Sequence, residues 1–211
     1  MHFKKALGVF FLTVCAATGC VTGDDDHDDH DHDDDGDHDH ETEVISRVEL
    51  TFTPTGGGDA VTAAFSDPDG DGGTSGTSEP IELTAGTEYE LTITLTNDLE
   101  DPPVDITEEI REEAEEHQIF IADDALLLTT AYADLESDYG SNTVDEDLPV
   151  GLVQTVTAET AGTGNFRVIL RHLPELNDSP QKTAGLEEDF AAGTALPGDV
   201  DVDVSFELTV I

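Results

Sequence analysis

Five of the chain's eight histidines, His27, His30, His32, His38 and His40, stand in the run DDDHDDHDHDDDGDHDHETE that begins at Asp24. Neutral imidazole suits zinc, copper or nickel, and the aspartates between the rings add charge and hard oxygen donors. The spacings His30-Asp31-His32 and His38-Asp39-His40 let neighbouring rings meet one ion once the backbone bends. No single geometry is imposed, so the tract predicts moderate affinity, fast exchange and poor selectivity. The surrounding carboxylates favour imidazolium, so metal must displace protons and binding weakens as the pH falls. A solvated spacer with incidental histidines is the plainer alternative. Five rings in this short tract, against three in all the rest of the chain, favour the metal.

Two further constellations lie beyond the tract. Asp67-Pro68-Asp69-Gly70-Asp71-Gly72-Gly73 has the Asp-x-Asp-x-Asp-Gly opening of a calcium loop, so Asp67, Asp69 and Asp71 are candidate calcium ligands. The twelfth position is Ser78 where a bidentate Glu belongs, although Glu79 follows, and predicted strands flank the loop, which argues against an EF-hand. A tight Asx and glycine turn accounts for the same residues without an ion. The other constellation is His117, His172 and Glu113, the last one helical turn before His117; together they are a candidate structured metal site. Satisfied core histidines are the competing explanation. No GxSxG elbow, HExxH helix, Walker loop or dinucleotide fingerprint occurs, so the sequence predicts no enzyme.

Address and charge narrow the choice. Lys4 and Lys5 precede an uncharged apolar run, Ala6 to Ala17, that closes on Ala17-Thr18-Gly19-Cys20. That layout predicts a signal peptide over residues 1–19, too short for a membrane span of roughly 20 apolar residues. Gly19-Cys20 resembles the bacterial lipobox, although Ala17 stands where leucine is usual, and implies a lipid anchor at Cys20. Cys15 leaves with the signal peptide and Cys20 is acylated, so no thiol remains for disulfides, thiolate zinc sites or cysteine catalysis. The chain holds 7 Lys+Arg against 50 Asp+Glu, and 37 of those acids lie beyond Glu43. Such a surface repels nucleic acid and anionic headgroups and attracts cations and basic partners. Adaptation to high salt, which screens the self-repulsion, is one explanation of the acidity.

The elements that must position these groups follow from patterning. Residues 20–43 hold no apolar residue after Val21 and cannot offset the entropy of ordering, so they predict a disordered tether. At roughly 3.3 Å per residue, the twenty residues from Asp24 reach on the order of 60 Å when extended. From Val44 the pattern turns to alternation: Val48, Leu50, Phe52; Val61, Ala63, Phe65; Ile81, Leu83; Tyr89, Leu91, Ile93, Leu95; Phe166, Val168, Leu170; and Val200 through Val210. IFIA, LLLTTAYA and VGLVQTVTA are weaker strands. Strands with one polar face, parted by Gly-, Pro- and Asp-rich turns, predict a mostly β body over 44–211, a single antiparallel, Ig-like β-sandwich. One helix is expected in DITEEIREEAEEHQ, capped by Asp105 with Glu108 reaching back, its apolar stripe Ile106, Ile110 and Ala114 continued by His117. Its other face is glutamate, so it needs a cation from elsewhere.

Together these residues resemble a family: small lipoproteins of Bacteroidota-type bacteria with an acidic histidine tract after the lipobox and a β-rich body. They are often labelled type 1 periplasmic binding domain proteins. The resemblance covers most of the mature chain and rests on FSDPDGDGG, ITEEIREEAEEHQIF, VILRHLP and DVDVDVSFELTVI. The label implies a two-lobed α/β sugar-binding fold. The neighbourhood of some relatives implies a TonB-dependent outer-membrane receptor as partner. The expectation is an outer-membrane lipoprotein, facing periplasm or surface, that captures divalent metal, zinc first, and presents it to a transporter or other envelope protein. A non-catalytic structural or interaction module on an acidic spacer and a calcium-stabilised glycan-binding domain are the alternatives.

Overall fold

The computed structural model describes residues 44–70, 76–140 and 146–211. The signal segment 1–19, Cys20, the tract histidines His27, His30, His32, His38 and His40, and Asp71 lie outside the described residues. In chain order the strands are β1 (Arg47–Pro54), β2 (Val61–Ser66), β3 (Thr77–Ser78), β4 (Ile81–Leu83), β5 (Thr87–Asn97), β6 (Val104–Asp105), β7 (His117–Asp123), β8 (Leu128–Tyr132), β9 (Val153–Ala158), β10 (Gly162–His172) and β11 (Asp199–Val210). The helices are α1 (Ile106–Glu112) and α2 (Leu186–Ala191), with a 3-10 turn over Glu136–Tyr139.

The strands form two sheets. The larger runs β3-β2-β1-β5-β9-β8, with β6 paired to the end of β5; the smaller runs β4-β11-β10-β7. Alternation dictates which face is dry: Val48, Leu50 and Phe52 of β1 and Tyr89 to Leu95 of β5 are buried at every second position. They share one core with Phe166, Val168, Leu170, Phe206 and Leu208 of the smaller sheet. Phe52 meets Phe166 edge-on, ring centroids 5.8 Å apart. Each such side chain contributes roughly 1.5–3 kcal/mol by burial, so the facing apolar rows hold the sheets together. The mostly β architecture differs from the two-lobed α/β fold that the family label implies.

Four expectations need correction. The sheets are not wholly antiparallel, because β4 runs parallel to β11, Ile81 opposite Leu208. The helix expected over 105–118 ends at Glu112, and His117 begins a strand rather than extending the helical stripe. Asp105 does cap it, accepting from Thr107 N at 3.0 Å, while the Glu108 carboxylate pairs with Arg111 at 3.1 Å. The glutamates that follow oppose the helix dipole and repel one another four apart, so nothing local sustains more than two turns. A second helix was not expected: α2 has only Leu186 and Phe190 as apolar anchors and Gly185 as its cap. It covers the outer face of the smaller sheet, with Phe190 against Phe120 at 5.0 Å. Lastly, Val200 is 46% exposed although alternation places it inside, for a reason that bears on the site below. Among the described residues no helix is long and apolar enough to cross a membrane.

Candidate metal centre

His117 opens β7 and His172 closes β10, and the two are direct partners in the antiparallel ladder. Opposed residues project from the same face, and the next inward pair of that ladder, Ile119 and Leu170, belongs to the core. Both imidazoles therefore sit at the end of the inner face, stacked with centroids 4.7 Å apart and planes 5° from parallel. His117 is fully buried and His172 is 7% exposed.

Glutamates reach the pair from the turn between α1 and β7. Hydrogen bonds from Glu113 N to Glu109 O and from Glu116 N to Glu113 O, both 2.9 Å, keep that turn tight after the helix ends. Leu173 N donates to Glu116 O at 2.6 Å, which fastens the turn beside the end of β10. The Glu113 carbonyl accepts from His117 Nδ1 at 3.1 Å, and the Glu113 carboxylate lies 3.9 Å from the same nitrogen. Glu116 Oε2 is 3.6 Å from His172 Nε2. Glu113, His117 and His172 each offer a ligand atom, all within 4.8 Å of one another, a grouping that could hold a metal ion.

The sequence pattern does not find the carboxylate on the other side. In the β10–β11 ladder Leu170 pairs with Val202 and Arg171 with Val200, so Asp201 is the extra residue of a β-bulge. The bulge reverses the alternation: Val200 turns outward and the Asp201 side chain turns in, 1% exposed, its Oδ2 4.0 Å from His117 Nε2. The loop entering β11 is held against the same strand. Gly198 has φ +69°, and a side chain there would overlap the His172 carbonyl oxygen. Arg171 donates to the carbonyls of Leu196, Pro197 and Gly198 at 2.5–3.2 Å.

The counter-ion expected from elsewhere is within α1 itself, since Arg111 pairs with Glu108; a second cation, Lys182, the sole lysine after Lys5, meets the turn that follows the helix. Its ammonium is fully buried, donates to Ala114 O at 2.7 Å and pairs with the equally buried Glu136 at 2.8 Å. Burial pulls its pKa below the usual lysine value, against the pull of Glu136 and Asp134. Asp134 is itself pushed up by burial, even though its carboxylate accepts from Tyr139 Oη, Gly151 N and Val153 N. The Lys182 bond to Ala114 O ties the buried Lys182–Glu136 pair to the turn that carries Glu113 and Glu116.

Of the aspartates in the candidate calcium loop, Asp71 lies outside the described residues. Asp67 is buried and its Oδ1 accepts from Gly70 N at 3.2 Å, whereas Asp69 is exposed. That bond is the tight-turn arrangement that a short Asp-Gly run favours. Compared with protein-family models, curated proteins and solved structures, the chain matches none.

Proposed function

We propose that this protein is a lipid-anchored envelope protein that concentrates divalent metal, zinc first, and presents it to a partner in the outer membrane such as a TonB-dependent receptor. The observation that carries the reading is the His117–His172 pair, two buried imidazoles from adjacent strands with Glu113 inside 4.8 Å. Two imidazoles and a carboxylate are a donor set of the zinc type, and hard ions such as calcium take oxygen ligands instead. The acidic tract with five more histidines adds a second, looser store, and Cys20 supplies the anchor. The body is best read as a two-layer, Ig-like sandwich, since the apolar faces of two antiparallel-rich sheets share one core. The reading is of binding, not catalysis.

Isothermal titration of the full chain with zinc tests it. Two classes of site are expected, a tight one removed by His117→Ala with His172→Ala, and a weaker set removed by alanines at His27, His30, His32, His38 and His40. Absence of any heat and of proton release would end the metal reading.

A further inference from the structure

Resting on the metal reading above, we infer that the carboxylate ligand of the buried centre is Asp201, held by the bulge against Nε2 of His117, and that Glu113 serves as the outer support. The argument begins with a proton. A carbonyl can only accept, so the 3.1 Å contact between His117 Nδ1 and Glu113 O places the ring hydrogen on Nδ1. The lone pair of His117 is then on Nε2, which lies 4.0 Å from Asp201 Oδ2, whereas the Glu113 carboxylate lies 3.9 Å from the protonated Nδ1. This is the usual support of a metal-binding histidine, whose second nitrogen donates to a backbone carbonyl and so fixes the tautomer and ring orientation.

Distances agree with that division. Around a tetrahedral zinc, ligand atoms roughly 2.0–2.2 Å from the ion stand about 3.3–3.6 Å from one another. His117 Nε2 to Asp201 Oδ2 is 4.0 Å and His172 Nε2 to Glu116 Oε2 is 3.6 Å, so each histidine has one carboxylate oxygen close to that separation. An N2O2 shell of His117, His172, Asp201 and Glu116 joins the α1–β7 turn, the end of β10 and the start of β11. The ion favoured is a first-row divalent metal that accepts two imidazoles, zinc or cobalt(II), over calcium or magnesium.

The test uses the full chain with alanine at His27, His30, His32, His38 and His40, so that only the body binds. Zinc affinity is measured by competition with a chromophoric chelator, and cobalt(II) is added to read coordination from its visible bands. Asp201→Asn should weaken zinc by more than about 100-fold, beyond the 10–100-fold typical of an outer-sphere partner, and should abolish the tetrahedral cobalt bands. Glu113→Gln, which keeps the backbone carbonyl, should change affinity by about tenfold at most. A second measurement does not depend on the variants folding. Histidine ring NMR of the zinc-loaded parent should show metal on Nε2 of His117 with Nδ1 still protonated. Metal on Nδ1, unchanged affinity in Asp201→Asn, or an equal loss in Glu113→Gln would overturn the assignment while leaving a metal site in place. Failure of the parent to bind zinc at all would overturn both this assignment and the reading on which it rests.

Discussion

Replacing Lys182 with methionine removes a charge that is buried on every side. The substitution keeps much of the aliphatic volume but takes the ammonium away from the Glu136 carboxylate, also fully buried, and from Ala114 O. Breaking a buried pair from one side costs about 3–5 kcal/mol, because the stranded charge must be neutralised or hydrated. Against a total stability of roughly 5–15 kcal/mol, that is a large share. For a domain of this size it lowers the melting temperature by on the order of 6–20 °C. Urea denaturation followed by circular dichroism reads the loss as a shift in midpoint. Adding Glu136→Leu to Lys182→Met removes the stranded acid and should recover most of the stability. A pH series adds an independent check. The folded-state pKa of Lys182 is lowered, chiefly by burial. Between that value and the unfolded one near 10.4, the unfolded chain binds more protons, so stability rises with pH across the interval. Lys182→Met should lose that slope. A cost below about 1 kcal/mol for Lys182→Met, or a double variant weaker than the single one, would refute the reasoning.

Three further outcomes follow from the same geometry. Asp134→Ala strands the amides of Gly151 and Val153 and the Tyr139 hydroxyl, and should cost about 2–5 kcal/mol by urea denaturation. Because burial raises the Asp134 pKa, the folded state binds the extra proton, so acidification through that raised value down to the ordinary carboxylate range adds stability that the alanine variant lacks. Arg171→Ala releases the carbonyls of Leu196, Pro197 and Gly198, and faster amide exchange in the loop entering β11 should accompany a loss of about 1.5–3 kcal/mol. With 50 acids against 7 basic residues, sodium chloride raised to molar strength should raise the melting temperature; a fall would count against self-repulsion as the dominant surface effect.

Much of the strand layout is legible because alternation is a local signal. Val48, Leu50 and Phe52 declare their face without reference to any other strand, and so do Phe166, Val168 and Leu170. His172 shares their parity, which brings it to the inner face in the sequence and in the structure alike. What stays hidden is set by register. The bulge opposite Leu170 and Arg171 shifts parity by one, so the run Asp199 to Val204 looks regular while Val200 and Asp201 have exchanged faces. Glu116 is hidden for a related reason, since only the true end of α1 at Glu112 brings the following turn against β10. Lys182 lies in a loop and Glu136 opens a short 3-10 turn, neither with periodicity, and their pairing depends on packing that no window of sequence contains. The short α2 carries two anchors and no side-chain cap, too little pattern to predict a helix.

The claim on which the functional account stands is that the folded body owns a metal site at His117 and His172. The most direct measurement is elemental analysis of the full chain, carrying alanines at the five tract histidines, after dialysis against micromolar zinc and then metal-free buffer. The account predicts one zinc per chain, lost when His117 and His172 are also replaced by alanine. A chain that emerges folded and free of zinc, or one that keeps its zinc without those two imidazoles, would contradict it.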